Sequence, residues 1–138
     1  MKKHLLAVIL LFTVLIGCKK DDDCDLSNER LVGSYRLTAL TYTPSGGATQ
    51  NVYLTYLDAC ERDDIFVFNA NATANYVDAG TTCVPANNYV VAWSLSGNSL
   101  NIDGELFNVA SFDCSAMVLT LTDPSAPGDV LTFTYTRQ

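Results

Sequence analysis

From Leu31 onward the chain is written in short runs that alternate apolar and polar residues, and each run ends in a cluster of turn formers. The runs are LVGSYRLTALTY (31–42), DIFVF (64–68), ANYVDAG (74–80), YVVAWSLS (89–96), SLNID (99–103), LFNVASF (106–112), AMVLTLT (116–122) and VLTFTYT (130–136). A period of two places every second side chain on one face of a strand. Tyr89, Val91, Trp93 and Leu95 then share a face, as do Met117, Leu119 and Leu121, and Leu131, Phe133 and Tyr135, while Thr120, Thr122, Thr132, Thr134 and Thr136 face the other way. The connections are polar: NANATA, Gly97-Asn98, DCS and DPSAPGD, with TPSGGATQN (43–51) as a longer loop. VYLTYLDACERDD (52–64) reads as a short helix or an irregular crossing. Eight short strands without a convincing amphipathic helix imply an all-β, antiparallel sandwich or barrel with one wet face.

The N-terminus obeys different rules. Lys2 and Lys3 precede an apolar run from Leu5 to Gly17, broken only by Thr13. That run is shorter than the roughly 20 residues a membrane-spanning helix needs, and it fits the apolar part of a secretory signal. Leu15-Ile16-Gly17-Cys18 resembles the lipobox of bacterial lipoproteins, which are cut before the cysteine and acylated on it. The resemblance implies a cleaved signal over 1–17, lipid on Cys18, an acidic tether over 18–29 and a folded domain over 30–138. Lys19, Lys20, Asp21, Asp22 and Asp23 are similar to the signal that sends some Gram-negative lipoproteins to the outer leaflet. The expected location is therefore the outer membrane, lipid-anchored and exposed at the cell surface, with the periplasmic face as the alternative. The lipoprotein-processing and export machinery would be partners.

Of the five cysteines, acylation of Cys18 leaves Cys24, Cys60, Cys83 and Cys114. Four cysteines in an exported chain allow three pairings. The favoured one joins Cys60 to Cys83 across a hairpin and Cys24 to Cys114 as a clip between tether and domain. Spacings far longer than those of zinc motifs, with no histidine nearby, argue against a metal site.

Within the domain, Leu31-Val32-Gly33-Ser34-Tyr35-Arg36-Leu37 resembles the opening strand of lipocalin-like domains of bacterial lipoproteins. Cys60-Glu61-Arg62-Asp63-Asp64 running into Ile65-Phe66-Val67-Phe68, the Trp93-Ser94-Leu95-Ser96-Gly97 turn and the final Tyr135-Thr136-Arg137 extend the similarity. It implies an eight-stranded antiparallel up-and-down barrel of the calycin type that carries a small hydrophobic ligand. Tyr35 stands where the family's Gly-x-Trp step has tryptophan, so barrel closure is expected from Gly33, Tyr35 and Arg137, with the guanidinium over the phenol ring. Tyr35, Trp93, Leu119, Phe133 and Tyr135 are the expected ligand-binding residues, and Phe107 and Phe112 complete the aromatic set. A barrel filled by its own side chains, serving as a protein- or glycan-interaction module, is the other reading.

The residues also restrict the chemistry. The formal net charge is −7 and there is no basic patch, which excludes a nucleic-acid partner. His4, the sole histidine, lies in the segment to be removed, and the lysines lie in that segment or in the tether. Histidine-dependent nucleophile pairs and histidine-ligated metals are thereby lost. Asp58, Glu61, Asp63 and Asp64 could pair as acid and base, but they read more simply as turn carboxylates that accept backbone N–H groups. No catalytic residue, metal or cofactor is expected.

Overall fold

The computed structural model describes residues 24–138. The expected signal segment, the acylated Cys18 and the export residues Lys19, Lys20, Asp21, Asp22 and Asp23 lie outside the described residues.

One helical turn, α1 (Asn28–Leu31), opens the fold, with Ser27 as N-cap accepting from the Arg30 N–H at 3.3 Å. The strands follow as β1 (Gly33–Thr43), β2 (Gln50–Asn51), β3 (Ile65–Phe68), β4 (Thr73–Val77), β5 (Tyr89–Ser96), β6 (Ser99–Ile102), β7 (Glu105–Phe112), β8 (Ala116–Thr122) and β9 (Val130–Arg137). A second helical turn, α2 (Tyr53–Tyr56), sits between β2 and β3. All pairings are antiparallel, and β9 returns to pair with β1 from Tyr35↔Arg137 to Thr43↔Val130, which closes the sheet into a ring. Closure leaves no long unpaired edge.

The expected eight strands form this ring, and a ninth, β2, falls within the segment read as a loop. β3 covers β1 only from Gly33 to Arg36, and β2 pairs with Thr41 and Tyr42 further along. Gln50 and Asn51 are both exposed, so no alternation marked them. One other expectation is corrected. Leu31 belongs to α1, not to the first strand, because the Ser27 cap carries the chain through one helical turn first. Residues 24–29, read as the end of the tether with Cys24 clipped to Cys114, lie against the folded body: Leu26 packs on the core and Cys24 is bonded to Cys114.

Two irregularities set the inner face. β1 slips between Leu37 and Ala39, and β7 slips between Val109 and Ser111. Each bulge inserts one extra residue, so inward positions there lie three apart. Leu37 opposes Tyr135 and Leu40 opposes Phe133; likewise Val109 opposes Leu119 and Phe112 opposes Met117. Directly opposed residues share a face. Strict alternation would have turned one of each pair into water.

The interior is packed at one end. Leu31, Tyr35, Phe68, Ala74, Trp93, Leu100, Val109, Met117 and Leu119 form its core, with Leu31 fully buried as a plug. Phe68 is the hub, edge-on to Tyr35 at 5.8 Å, to Phe66 at 5.0 Å and to Trp93 at 5.3 Å between ring centroids. The Trp93 indole N–H also donates to the Asn69 and Thr73 carbonyls at 3.1 and 3.0 Å, fixing the β3–β4 turn to this floor.

The two disulfides lie at opposite ends. Cys24–Cys114 ties the chain before α1 to the β7–β8 turn at the packed end, and Cys60–Cys83 joins the segments before β3 and after β4 at the other. The pairing is the one favoured from the sequence.

Acid should loosen this frame in a defined window. Asp129, 4% exposed, accepts from the Tyr42 hydroxyl at 2.6 Å and the Ser45 N–H at 2.9 Å, which joins the β8–β9 connection to the loop after β1. The Tyr42 hydrogen bond, then that of Ser45, holds its carboxyl below the ordinary 3.8, against the opposing effect of burial. Asp113 is likewise lowered, first by the Ser115 hydroxyl and then by the Ala116 and Ser115 N–H groups. A folded-state pKa below the unfolded one gives stability that is complete above the unfolded value and is lost as pH falls through the folded value. The melting temperature is therefore expected to be flat above about pH 5 and to fall below about pH 4. Asp129→Asn should flatten the acid limb in thermal melts at several pH values; an unchanged limb would remove Asp129 from the account.

Candidate functional site

Above the packed floor the barrel is hollow. The cavity has a volume of about 270 Å³ and opens at the Cys60–Cys83 end. Seven of its twelve lining residues are aromatic: Tyr35, Phe66, Tyr76, Tyr89, Phe107, Phe133 and Tyr135. A void of that size accepts one ring with a short chain, given that a cavity of about 150 Å³ takes a benzene.

Each wall residue is placed by register. Tyr76 lies directly across from Tyr89 on the neighbouring strands, and the rings stack at 4.9 Å with planes 4° apart. Tyr89 is 44% exposed, so this pair stands at the mouth. Phe107 meets Phe133 edge-on at 5.7 Å, and Phe133 lies beside Tyr135 at 6.5 Å.

One carboxylate is built into the wall. Asp64 is 5% exposed and accepts from the Tyr76 hydroxyl at 2.6 Å and from the Ala79 N–H at 3.0 Å. Glu61 also reaches the cavity, and its carboxylate accepts the Asp58 N–H at 2.8 Å. Burial pushes the Tyr76 phenol well up, and the hydrogen bond to Asp64 adds to this. Tyr135 is raised by burial and Tyr89 by burial followed by the Asp103 charge, so these phenols are neutral donors at physiological pH.

The closure triad assembles at the floor of the cavity. The Arg137 guanidinium lies 5.5 Å from the centroid of the Tyr35 ring. It donates to the carbonyls of Cys114 at 3.2 Å, of Arg30 at 3.1 Å and of Val32, linking β9 to the β7–β8 turn and to the C-terminal end of α1. The Tyr35 hydroxyl donates to the Leu31 carbonyl at 3.0 Å. Gly33 is required here: its φ is 152°, and a Cβ would stand 2.6 Å from the Arg137 Nη2.

Of the five expected ligand residues, the structure brings Tyr35, Phe133 and Tyr135 together on the cavity wall. Trp93 and Leu119 do not reach this cavity. They lie in the packed floor, 5% and 1% exposed, because strands β5 and β8 carry them to the plugged end. Phe107 lines the cavity, whereas Phe112 packs against the floor. Asp64, Tyr76 and Phe66 were missed as wall residues. Tyr76 could have been found from its parity with Ala74, and Phe66 and Asp64 from theirs with Phe68, but a carboxylate is not expected on an inward face.

The turn carboxylates behave as backbone acceptors. Asp63 accepts the Thr81 N–H at 2.8 Å, and Asp78 accepts the Cys83 and Asn87 N–H groups at 3.2 and 3.0 Å. Among the described residues no three His, Cys, Asp or Glu side chains cluster as a metal site.

A family model described as a lipocalin-like domain matches residues 31–123, more than half of the chain. No curated protein matches the chain. The matched span runs from the Leu31 plug through β8 and so includes most of the cavity wall. The chain therefore belongs to the lipocalin-like domain family, whose closed ring is a calycin-type binding fold.

Proposed function

We propose that this chain is an outer-membrane lipoprotein, anchored by acyl groups on Cys18 and exposed at the cell surface, whose barrel captures a small hydrophobic ligand and performs no catalysis. The observation that carries the ligand reading is the open cavity of about 270 Å³ with its aromatic wall. With Cys18 acylated, only residues 19–23 separate the anchor from the Cys24–Cys114 clip, a reach of roughly 20 Å. The plugged end is then the one held near the bilayer, and the mouth looks away from it.

A second reading has its own support. Leu54, Tyr56, Val84, Val90 and Leu106 are all strongly exposed, with Val84 at 98%. They belong to α2, the β4–β5 connection and the first residues of β5 and β7, which is the mouth end. A protein or glycan partner docking there is the alternative use of the same rim.

Native mass spectrometry of the full chain extracted from its own membrane should reveal a co-purifying small molecule. A consistently bare mass, together with no heat on titration with neutral 2-phenylethanol, would shift the assignment to the rim. In the same cells, protease added outside should remove the domain; survival until the outer membrane is opened would place it on the periplasmic face.

A further inference from the structure

The cavity wall is apolar except for one kind of charge. Glu61 and Asp64 reach it, and among the described residues no lysine or arginine does. The described chain holds four arginines, Arg30, Arg36, Arg62 and Arg137. Arg62, the one nearest the mouth in sequence, donates to the carbonyls of Leu54 and Leu57. Arg137 lies at the Tyr35 ring, with its donors on the carbonyls around α1. Arg36 falls between Tyr35 and Leu37, which line the cavity, and so takes the opposite face of β1. Arg30 is on α1 at the plugged end.

Asp64 retains acceptor capacity after its two hydrogen bonds, since a carboxylate offers about four lone-pair sites. It sits beside the parallel Tyr76–Tyr89 pair, and ring faces attract cations, more strongly once desolvated. The Asp103 charge acts on Tyr89 as well, so the mouth is negative beyond the wall itself. Tyr135 lines this space as well. A ligand with an anionic head would meet carboxylates and no countercharge, which is costly in an apolar enclosure.

We infer that the ligand is a small hydrophobic amine, bound as its ammonium form with the charged head beside Asp64 and the Tyr76–Tyr89 pair and its apolar part between Phe107, Phe133 and Tyr135. This rests on the ligand-capture reading and narrows it: the cavity selects cationic over anionic amphiphiles, so fatty-acid-like carboxylates are rejected.

Three probes of nearly equal size separate the two readings. The full chain in lipid nanodiscs is titrated calorimetrically with protonated 2-phenylethylamine, neutral 2-phenylethanol and phenylacetate, with empty nanodiscs as blank. The ammonium probe should bind on the order of tenfold or more tightly than the alcohol, and phenylacetate more weakly than either. Asp64→Asn should lose most of the ammonium preference while the alcohol affinity stays within about twofold. Glu61→Gln, which leaves the Tyr76 and Ala79 hydrogen bonds intact, should lower the preference by a smaller factor and covers the case in which Asp64→Asn fails to fold. Binding of the alcohol with no ammonium preference, or equal binding of phenylacetate, overturns the amine assignment alone. If none of the three binds, both the amine assignment and the ligand-capture reading fall.

Discussion

Serine at both Cys24 and Cys114 is expected to lower the unfolding free energy of the full chain by about 4.5 kcal/mol. The bond joins residues 90 apart, and in the chain-entropy treatment the restriction of the unfolded state grows with the logarithm of the closed loop. It also holds the segment that carries the plug, together with the hydrogen bonds from Tyr35 and Arg137 to the carbonyls of Leu31, Arg30 and Val32. Serine at Cys60 and Cys83, 23 residues apart, should cost less, about 3.4 kcal/mol by the same treatment. Urea unfolding of the two double variants beside the parent checks both the size and the order. A change below about 1 kcal/mol for the Cys24 and Cys114 pair would mean that packing alone holds the plug.

Tyr35→Ala should cost about 4 kcal/mol, in the range found when a fully buried aromatic is truncated. Three separate contacts are lost at once. The ring no longer meets Phe68, the Arg137 guanidinium loses the face it lies over, and the Leu31 carbonyl loses its donor. Tyr35→Phe removes only the last of these and should cost about 1 kcal/mol. Chemical denaturation of both variants separates the ring from the hydroxyl. Equal losses would show that the hydrogen bond to α1, not the stack under Arg137, carries the closure.

This phenol stands where the resemblance to the family's opening strand implies tryptophan. The smaller ring leaves Arg137 in place, because the guanidinium is also held by the carbonyls of Arg30, Val32 and Cys114. The result is a floor closed by a tyrosine, a glycine without a Cβ and a C-terminal arginine, with the cavity directly above it.

The inward set Met117, Leu119, Phe133 and Tyr135 followed from period-two alternation, because β8 and β9 pair without interruption from Ala116↔Thr136 to Thr122↔Val130. β7 was harder. Phe107 and Phe112 have opposite parity, and only the bulge after Val109 lets both point inward. A bulge is a property of two strands in register, so one strand's pattern does not announce it.

Sequence by itself determined the all-β class and the strand spacing, which depend on local pattern, and left three cysteine pairings open with one of them favoured. Only the tertiary structure decided where the interior is solid and where it is hollow. Trp93 and Tyr89 share one face of β5, yet one is packed into the floor and the other stands at the mouth. Alternation reports which side of a strand a residue faces. Depth along the barrel axis depends on strand stagger and on the Leu31 plug, which β5 meets only through closure of the ring.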